Sequence, residues 1–261
     1  MSISKEIERI QQAKKDIGDA IVRKGGSVSG TIDTYAKSVM ALGDVSFRTA
    51  IDIVNKSDAK NVDLTMISPR NETSLERLFF RNENLVSIDV SNWDTSQVTY
   101  FIQAFSQNHN LESIDVSKWN TSNVENMAHM FMMCSSLTTL DLSGFDTSKV
   151  TTMISMFNGC SSLTTLDLSG FDTSKVNNME HMFLNNIKLS EVKCDGMKLP
   201  NIELNNINLN KSPLSVDSIV GLLNALPQSD KGYSFQIGSV NIAKLSDEQK
   251  AIATNKGWTL I

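Results

Sequence analysis

Residues 134–150 and 160–176 are the same seventeen letters, CSSLTTLDLSGFDTSKV, written twice with a spacing of 26 residues. A fixed period of about 20–50 residues marks a repeat array, in which each unit buries its apolar face only against its neighbours. Four clear repeats run over 85–110, 111–136, 137–162 and 163–188. Each follows L-x-x-[IL]-D-[VL]-S-x-[WF]-[DN]-T-S-x-V and closes on Phe, then Cys or Asn. A weaker unit precedes them at 59–84, with Val62, Asp63, Leu64, Leu75, Leu78, Phe79 and Asn82 in register. A decayed unit follows at 189, where Leu189 and Val192 are in place but Lys193 replaces the aspartate. After 195 the repeat is lost. Atypical terminal units are what capping an array requires.

Within a repeat the hydrophobic period switches. Leu137, Leu140 and Leu142 have the L-x-x-L-x-L form of a leucine-rich-repeat strand. Alternation then points Leu140 and Leu142 inward and Thr139, Asp141 and Ser143 outward. Asp146, Thr147 and Ser148 offer side-chain oxygens to cap a helix. Val150, Met153, Met156 and Phe157 recur at i, i+3, i+6 and i+7, which predicts one buried helical face. The expected fold is an α/β repeat solenoid: a right-handed leucine-rich repeat with a parallel sheet on its concave side. It carries an N-terminal helical cap and a C-terminal α/β cap.

Three regions follow: an N-terminal helical segment at 1–44, the array at 45–198, and a C-terminal α/β segment at 199–261. Ile3, Ile7, Ile10, Ala13, Ile17 and Ile21 predict a first helix, stopped by Gly25-Gly26. Ile32, Tyr35, Ala36, Val39 and Leu42 predict a second, and 45–58 reads as a strand-rich joint. Beyond the array, Ser215 caps a helix reaching Leu226, and Tyr233–Ile237 reads as a strand. Ser246-Asp247-Glu248-Gln249 forms a capping box for a helix reaching Asn255. Gly257 ends that helix, and Trp258–Ile261 returns as a strand.

The outward strand positions line up as ladders. Asp63, Asp89, Asp115, Asp141 and Asp167 form one column. Ser87, Ser113, Thr139 and Thr165 flank it on one side, and Ser91, Ser117, Ser143 and Ser169 on the other. Like charges on neighbouring strands repel, so something must offset them. One reading is that hydroxyl and backbone donors hydrogen-bond the carboxylates and stabilise the repeat. The other is an acidic strip that recognises a basic or polar partner. The column lacks the dense Asp-x-Asp spacing of a calcium loop. Asp94, Asn120, Asp146 and Asp172 form a second column with Asx-turn chemistry. Trp93, Trp119, Phe145 and Phe171 read as a packed aromatic spine rather than a sugar platform. Met127, Met153 and Met179, with Met130, Met156 and Met182, read as adaptable core.

Catalysis finds little support. His129 and His181 share a repeat slot two units apart, and no Gly-rich phosphate loop, H-E-x-x-H or G-x-S-x-G occurs. The net charge of −5 argues against nucleic acid, and no cofactor or metal is expected. No stretch of eighteen apolar residues predicts insertion into a membrane. The opening MSISKEIERIQQAKKD lacks the apolar core of a secretory signal. Three cysteines are no disulfide framework. Cys134 and Cys160 occupy the slot that Asn82, Asn108 and Asn186 fill elsewhere and are expected as buried thiols. Cys194 takes the slot of Leu168 and should face inward.

The frame LxxLDLSxFDTSxVxxMxxMFxxC, over about 59–195, resembles the BspA-like leucine-rich repeat of bacterial surface proteins. The flanking AKKDIGDAIVRKGGSVSG and SVDSIVGLLNALP…AKLSDEQKAIATNKGWTLI are similar to segments of tail-fibre-like structural proteins of phages and prophages. The first resemblance implies adhesion or protein recognition without enzymatic activity, in an extracellular, cell-surface or virion setting. A host extracellular or surface protein is the partner it implies. The second implies a virion subunit that assembles through residues 1–43.

Overall fold

A computed structural model of the chain describes residues 46–65, 67–197, 199–200 and 207–261. The N-terminal expectations, including the helices within 1–44 and assembly through 1–43, lie outside the described residues.

The repeats stack in parallel with the spacing read from the sequence. Strands β1 (Asn61–Asp63), β2 (Ser87–Asp89) and β3 (Ser113–Ile114) form one sheet in that order, and β4 (Thr165–Asp167) pairs with β5 (Glu191–Lys193). Asp63 lies opposite Asp89, Ser87 opposite Ser113, and Asp167 opposite Lys193, so each residue meets its equivalent one repeat on. The weak unit at 59–84 and the decayed unit at 189 are therefore full members of the stack. Ile88, Ile114, Leu140 and Leu166 point inward and are buried, with Val90, Val116, Leu142 and Leu168 beside them.

The second half of each repeat is not a helix. Phe101, Gln103, Phe105 and Gln107 donate their N–H groups to the carbonyls of Asn126, Ala128, Met130 and Met132 in the next repeat. Between them, Ala104 and Ser106 bond back three residues to Phe101 and Gln103. Successive tight turns thus form a second parallel ladder, bridged through Ser74, Tyr100, Asn126, Thr152 and Asn178. An α-helix would consume those N–H groups internally, leaving neighbouring repeats unlinked on this side. Two residues per repeat enter the left-handed region: Gln103 and Gln107 at φ 56° and 63°, His129 and Met133 at 59° and 60°. For a side-chain-bearing residue this costs roughly 1–2 kcal/mol, offset by the inter-repeat bonds. Apolar spacing of three and four fits both geometries, and Val150, Met153, Met156 and Phe157 are buried as a helical face would have been.

The ends of the stack are helical. The strand-rich joint expected at 45–58 is instead α1 (Phe47–Asn55). Ser46 Oγ accepts from Thr49 N, and Ala50, Ile51 and Val54 turn to the core. Asn55 Nδ2 donates to the Leu78 carbonyl and Asn84 Nδ2 to that of Ser57. The helix therefore covers the open end of the turn ladder.

At the other end α2 (Val216–Ala225) is capped by Ser215 and packs on β5. It is followed by β6 (Ser234–Phe235), the short α3 (Ser239–Ile242), α4 (Asp247–Thr254) with its capping box on Ser246 and Gln249, and β7 (Thr259–Leu260) parallel to β6. Gly257 ends α4 at φ 79°. The α2, capping-box and terminal-strand expectations match. The loss of pattern after 195 is not a loss of stacking. Leu199 N donates to Ala225 O, Leu209 N to Gln236 O and Ser229 N to Lys256 O, all close to the 26-residue spacing. Lys256 Nζ reaches the carbonyls of Leu223, Asn224 and Leu226 and ties down the end of α2.

Candidate interaction surface

The outward face of the strands is built one residue type per column. In each repeat the aspartate after the buried Val, Ile or Leu accepts from the residue two places on. Ser91 N and Oγ reach Asp89 Oδ1 at 3.0 and 2.7 Å, and Ser117 N and Oγ reach Asp115 Oδ1 at 3.0 and 2.7 Å. Ser143 N and Ser169 N do the same for Asp141 and Asp167, and Thr65 N and Oγ1 for Asp63. Each carboxylate therefore closes an Asx-turn that steers the chain off the strand. The donors that the stabilising reading requires are in place.

Those bonds set the charge of the column. The Ser117 hydroxyl and amide hold Asp115 below the usual carboxylate range, against a small opposing push from burial and from Asp141. The Ser143 hydroxyl and amide lower Asp141, and the Ser169 amide and hydroxyl lower Asp167 with help from Lys193. These exposed carboxylates are ionised at neutral pH. Thr139 and Thr165 are exposed beside Asp141 and Asp167, as are Ser113 and Asp115, while Ser87 and Ser91 are half-buried. Over β1–β3 this face is an open depression of about 470 Å³, floored by Val62, Ile88 and Ile114 and lined by Asn61, Asp63, Ser87, Asp89, Ser91, Ser113 and Asp115. Ser117, Thr139, Asp141, Ser143, Thr165, Asp167 and Ser169 lie on the same face outside it.

The second column does not cap helices. Asp94, Asn120, Asp146 and Asp172 each accept from the backbone N–H of the serine two places on. Every one closes a turn, and the turn ladder follows. Directly after the second column runs a buried threonine ladder that the sequence reading does not include. Thr95, Thr121 and Thr147 donate to the carbonyls of Asn120, Asp146 and Asp172 in the next repeat, each at 2.9–3.0 Å. Its signal was the recurrence of Thr, never Ser, at the middle of [DN]-T-S.

The aromatic column is packed. Trp93 and Trp119 stack at 5.7 Å and 7°, and both are buried with Phe145 and Phe171. A second stack of Phe79, Phe105, Phe131, Phe157 and Phe183 runs through the turn side. No aromatic ring lines the acidic depression. Cys134 and Cys160 are free, buried, and donate to the carbonyls of Phe105 and Phe131 at 3.1 Å each. Asn108 serves the same Phe105 carbonyl in its own slot. Burial pushes the Cys160 thiol up to about 12 and Cys194, also buried, to about 11. The methionine columns are core as expected. Among the described residues no group of three or more His, Cys, Asp or Glu is placed to hold a metal ion, and no helix is long and apolar enough to cross a membrane.

No curated protein matches the sequence. Among solved structures the chain is similar to a leucine-rich repeat protein of T. pallidum, TpLRR, at 17% identity and a TM-score of 0.45, over 77% of this chain and 78% of that one. One family matches residues 51–140 and 73–195, together more than half of the chain and the whole run of repeats. The chain thus belongs to the family described as Mycoplasma protein of unknown function, DUF285.

Proposed function

We propose that the chain is a non-enzymatic protein-binding module, a leucine-rich-repeat solenoid that offers its acidic strand face to a partner. The observation that carries this reading is the column itself. Five aspartates stand at equivalent positions on one face, and the three central to the reading, Asp115, Asp141 and Asp167, are held ionised by their own repeat. Each uses Oδ1 for the turn. An array of negative charge, one carboxylate per repeat, complements an extended basic segment of a protein. Such complementarity governs on-rate and specificity.

The reading that the column only stabilises the fold rests on the Asx-turn bonds. The double substitution Asp115→Asn and Asp141→Asn separates the two. It retains shape and acceptor oxygens but removes two charges. Binding to a lysine-rich peptide, followed by biolayer interferometry at several salt concentrations, should weaken and lose part of its salt dependence. A double variant that melts lower yet binds the peptide as before would leave the column as scaffold.

A further inference from the structure

The repeat 137–162 contains the same strand sequence as 163–188, yet only the second forms a strand. Among the described residues no backbone hydrogen bond joins 138–142 to 112–116 or to 164–168. Such bonds are present on either side of this repeat: Leu64 N to Asp89 O, Glu112 N to Val86 O, Ser190 N to Thr164 O, and Leu168 N to Lys193 O at 2.7 Å. The sheet is thus cut into β1–β3 and β4–β5. The turn ladder is not cut. Met127, His129, Phe131 and Met133 donate across to repeat 137–162, and Met153, Ser155, Phe157 and Gly159 donate onward from it.

Two residues at the cut differ from the earlier repeats, and both recur as Gly170 and Phe171. Trp93 Nε1 donates to Leu64 O and Trp119 Nε1 to Val90 O, so each indole ties its repeat to the strand end of the repeat before. Position 145 is Phe, which has no N–H to reach Val116 O. Gly144 also sits close against the backbone of the preceding repeat, where a Cβ would fall 2.2 Å from Ser117 O, while Gly170 has nothing within 4 Å. The Phe stack is wider here as well, at 6.2 and 6.1 Å against 5.5 and 5.7 Å in the earlier repeats.

We propose that the stack is hinged at repeat 137–162, with the turn ladder as its spine and the strand face free to open and close; the indole tie of the earlier repeats is missing at both Phe145 and Phe171. The hinge is a property of the chain alone and does not depend on the binding reading.

Amide hydrogen exchange in the intact chain, read residue by residue by NMR, tests this directly. Leu142 and Leu168 lie within identical seventeen-residue sequences, so their chemical exchange rates are equal and any difference is structural. Leu142 is expected to exchange at least about tenfold faster than Leu168, and Thr138 faster than Glu112 or Ser190. Equal protection at Leu142 and Leu168 would overturn the hinge. Phe145→Trp supplies a donor towards Val116 O in the preceding repeat and should slow exchange at Thr138, whose equivalent Glu112 N bonds back to Val86 O. A folded Phe145→Trp that leaves Thr138 unchanged would overturn the missing indole as a contributor to the opening. If that variant does not fold, the comparison within the native chain still decides the hinge.

Discussion

Leu140 and Leu166 are the same residue in the same local sequence, and truncating each to alanine tests how neighbouring repeats share stability. Leu166 is fully buried, lies on β4 and pairs with Val192. Leu→Ala removes three carbon groups at about 0.8 kcal/mol each, roughly 2.4 kcal/mol of transfer free energy. A cavity term is added where the surroundings cannot collapse, and the observed range for such changes is about 2–5 kcal/mol. The bonded backbone of β4 resists collapse, so Leu166→Ala belongs in the upper half of that range, about 3–5 kcal/mol. Leu140 keeps 8% of its surface exposed and its backbone is bonded to neither neighbour. The chain there can settle into the space, and Leu140→Ala should cost nearer 2 kcal/mol. Urea denaturation followed by circular dichroism measures both, provided the slopes match. A loss below about 1 kcal/mol at Leu166, or equal losses at the two sites, refutes the reasoning.

Thr121 Oγ1 both donates to Asp146 O at 2.9 Å and accepts from Asp146 N at 2.8 Å. Thr121→Val leaves two backbone groups unpaired next to the core, and denaturation should show a loss of about 1–3 kcal/mol. The aspartate column makes stability pH-dependent. Native Asp115, Asp141 and Asp167 lie below their ordinary value of 3.8, so the unfolded chain takes up protons first on acidification. Their contribution is complete above that value and is lost as pH falls through the lower native ones. Melting temperatures measured below about pH 4 should therefore drop, and drop less in the Asp115→Asn, Asp141→Asn double variant. The three thiols are buried, and Cys160 is pushed up to about 12. Alkylation of the native chain at pH 8 should label few of them, whereas denatured, unreduced protein should give three. A count of one would reveal a disulfide.

The sequence by itself determined the period, the register and the inward residues. A strict 26-residue repeat places every Ile or Leu before the aspartate over its equivalent, and burial then follows from alternation alone. It also determined the Ser215 and Ser246 caps, because capping is a matter of a few adjacent residues. Reading the sequence missed α1, although Ser46, Phe47, Ala50, Ile51 and Val54 carry both a cap and a helical stripe; the β-branched Ile51, Ile53 and Val54 read equally well as strand. Of the candidate surface, the columns were legible but the consequence of their hydrogen bonds was not, since which donors reach a carboxylate depends on the turn that follows.

Tertiary structure decided the rest. Whether Val150, Met153, Met156 and Phe157 wind as a helix or as successive turns depends on where their N–H groups find carbonyls, and the next repeat supplies them. The C-terminal segment lost the repeat's letters and kept its stacking, because helices and strands of other sequence can still meet the 26-residue rise of the layer beneath. Most directly, seventeen identical letters form β4 at 165–167 and no strand at 139–141. Local propensity is the same in both, so the difference lies in the neighbours: a strand exists only where an adjacent backbone is held at bonding distance.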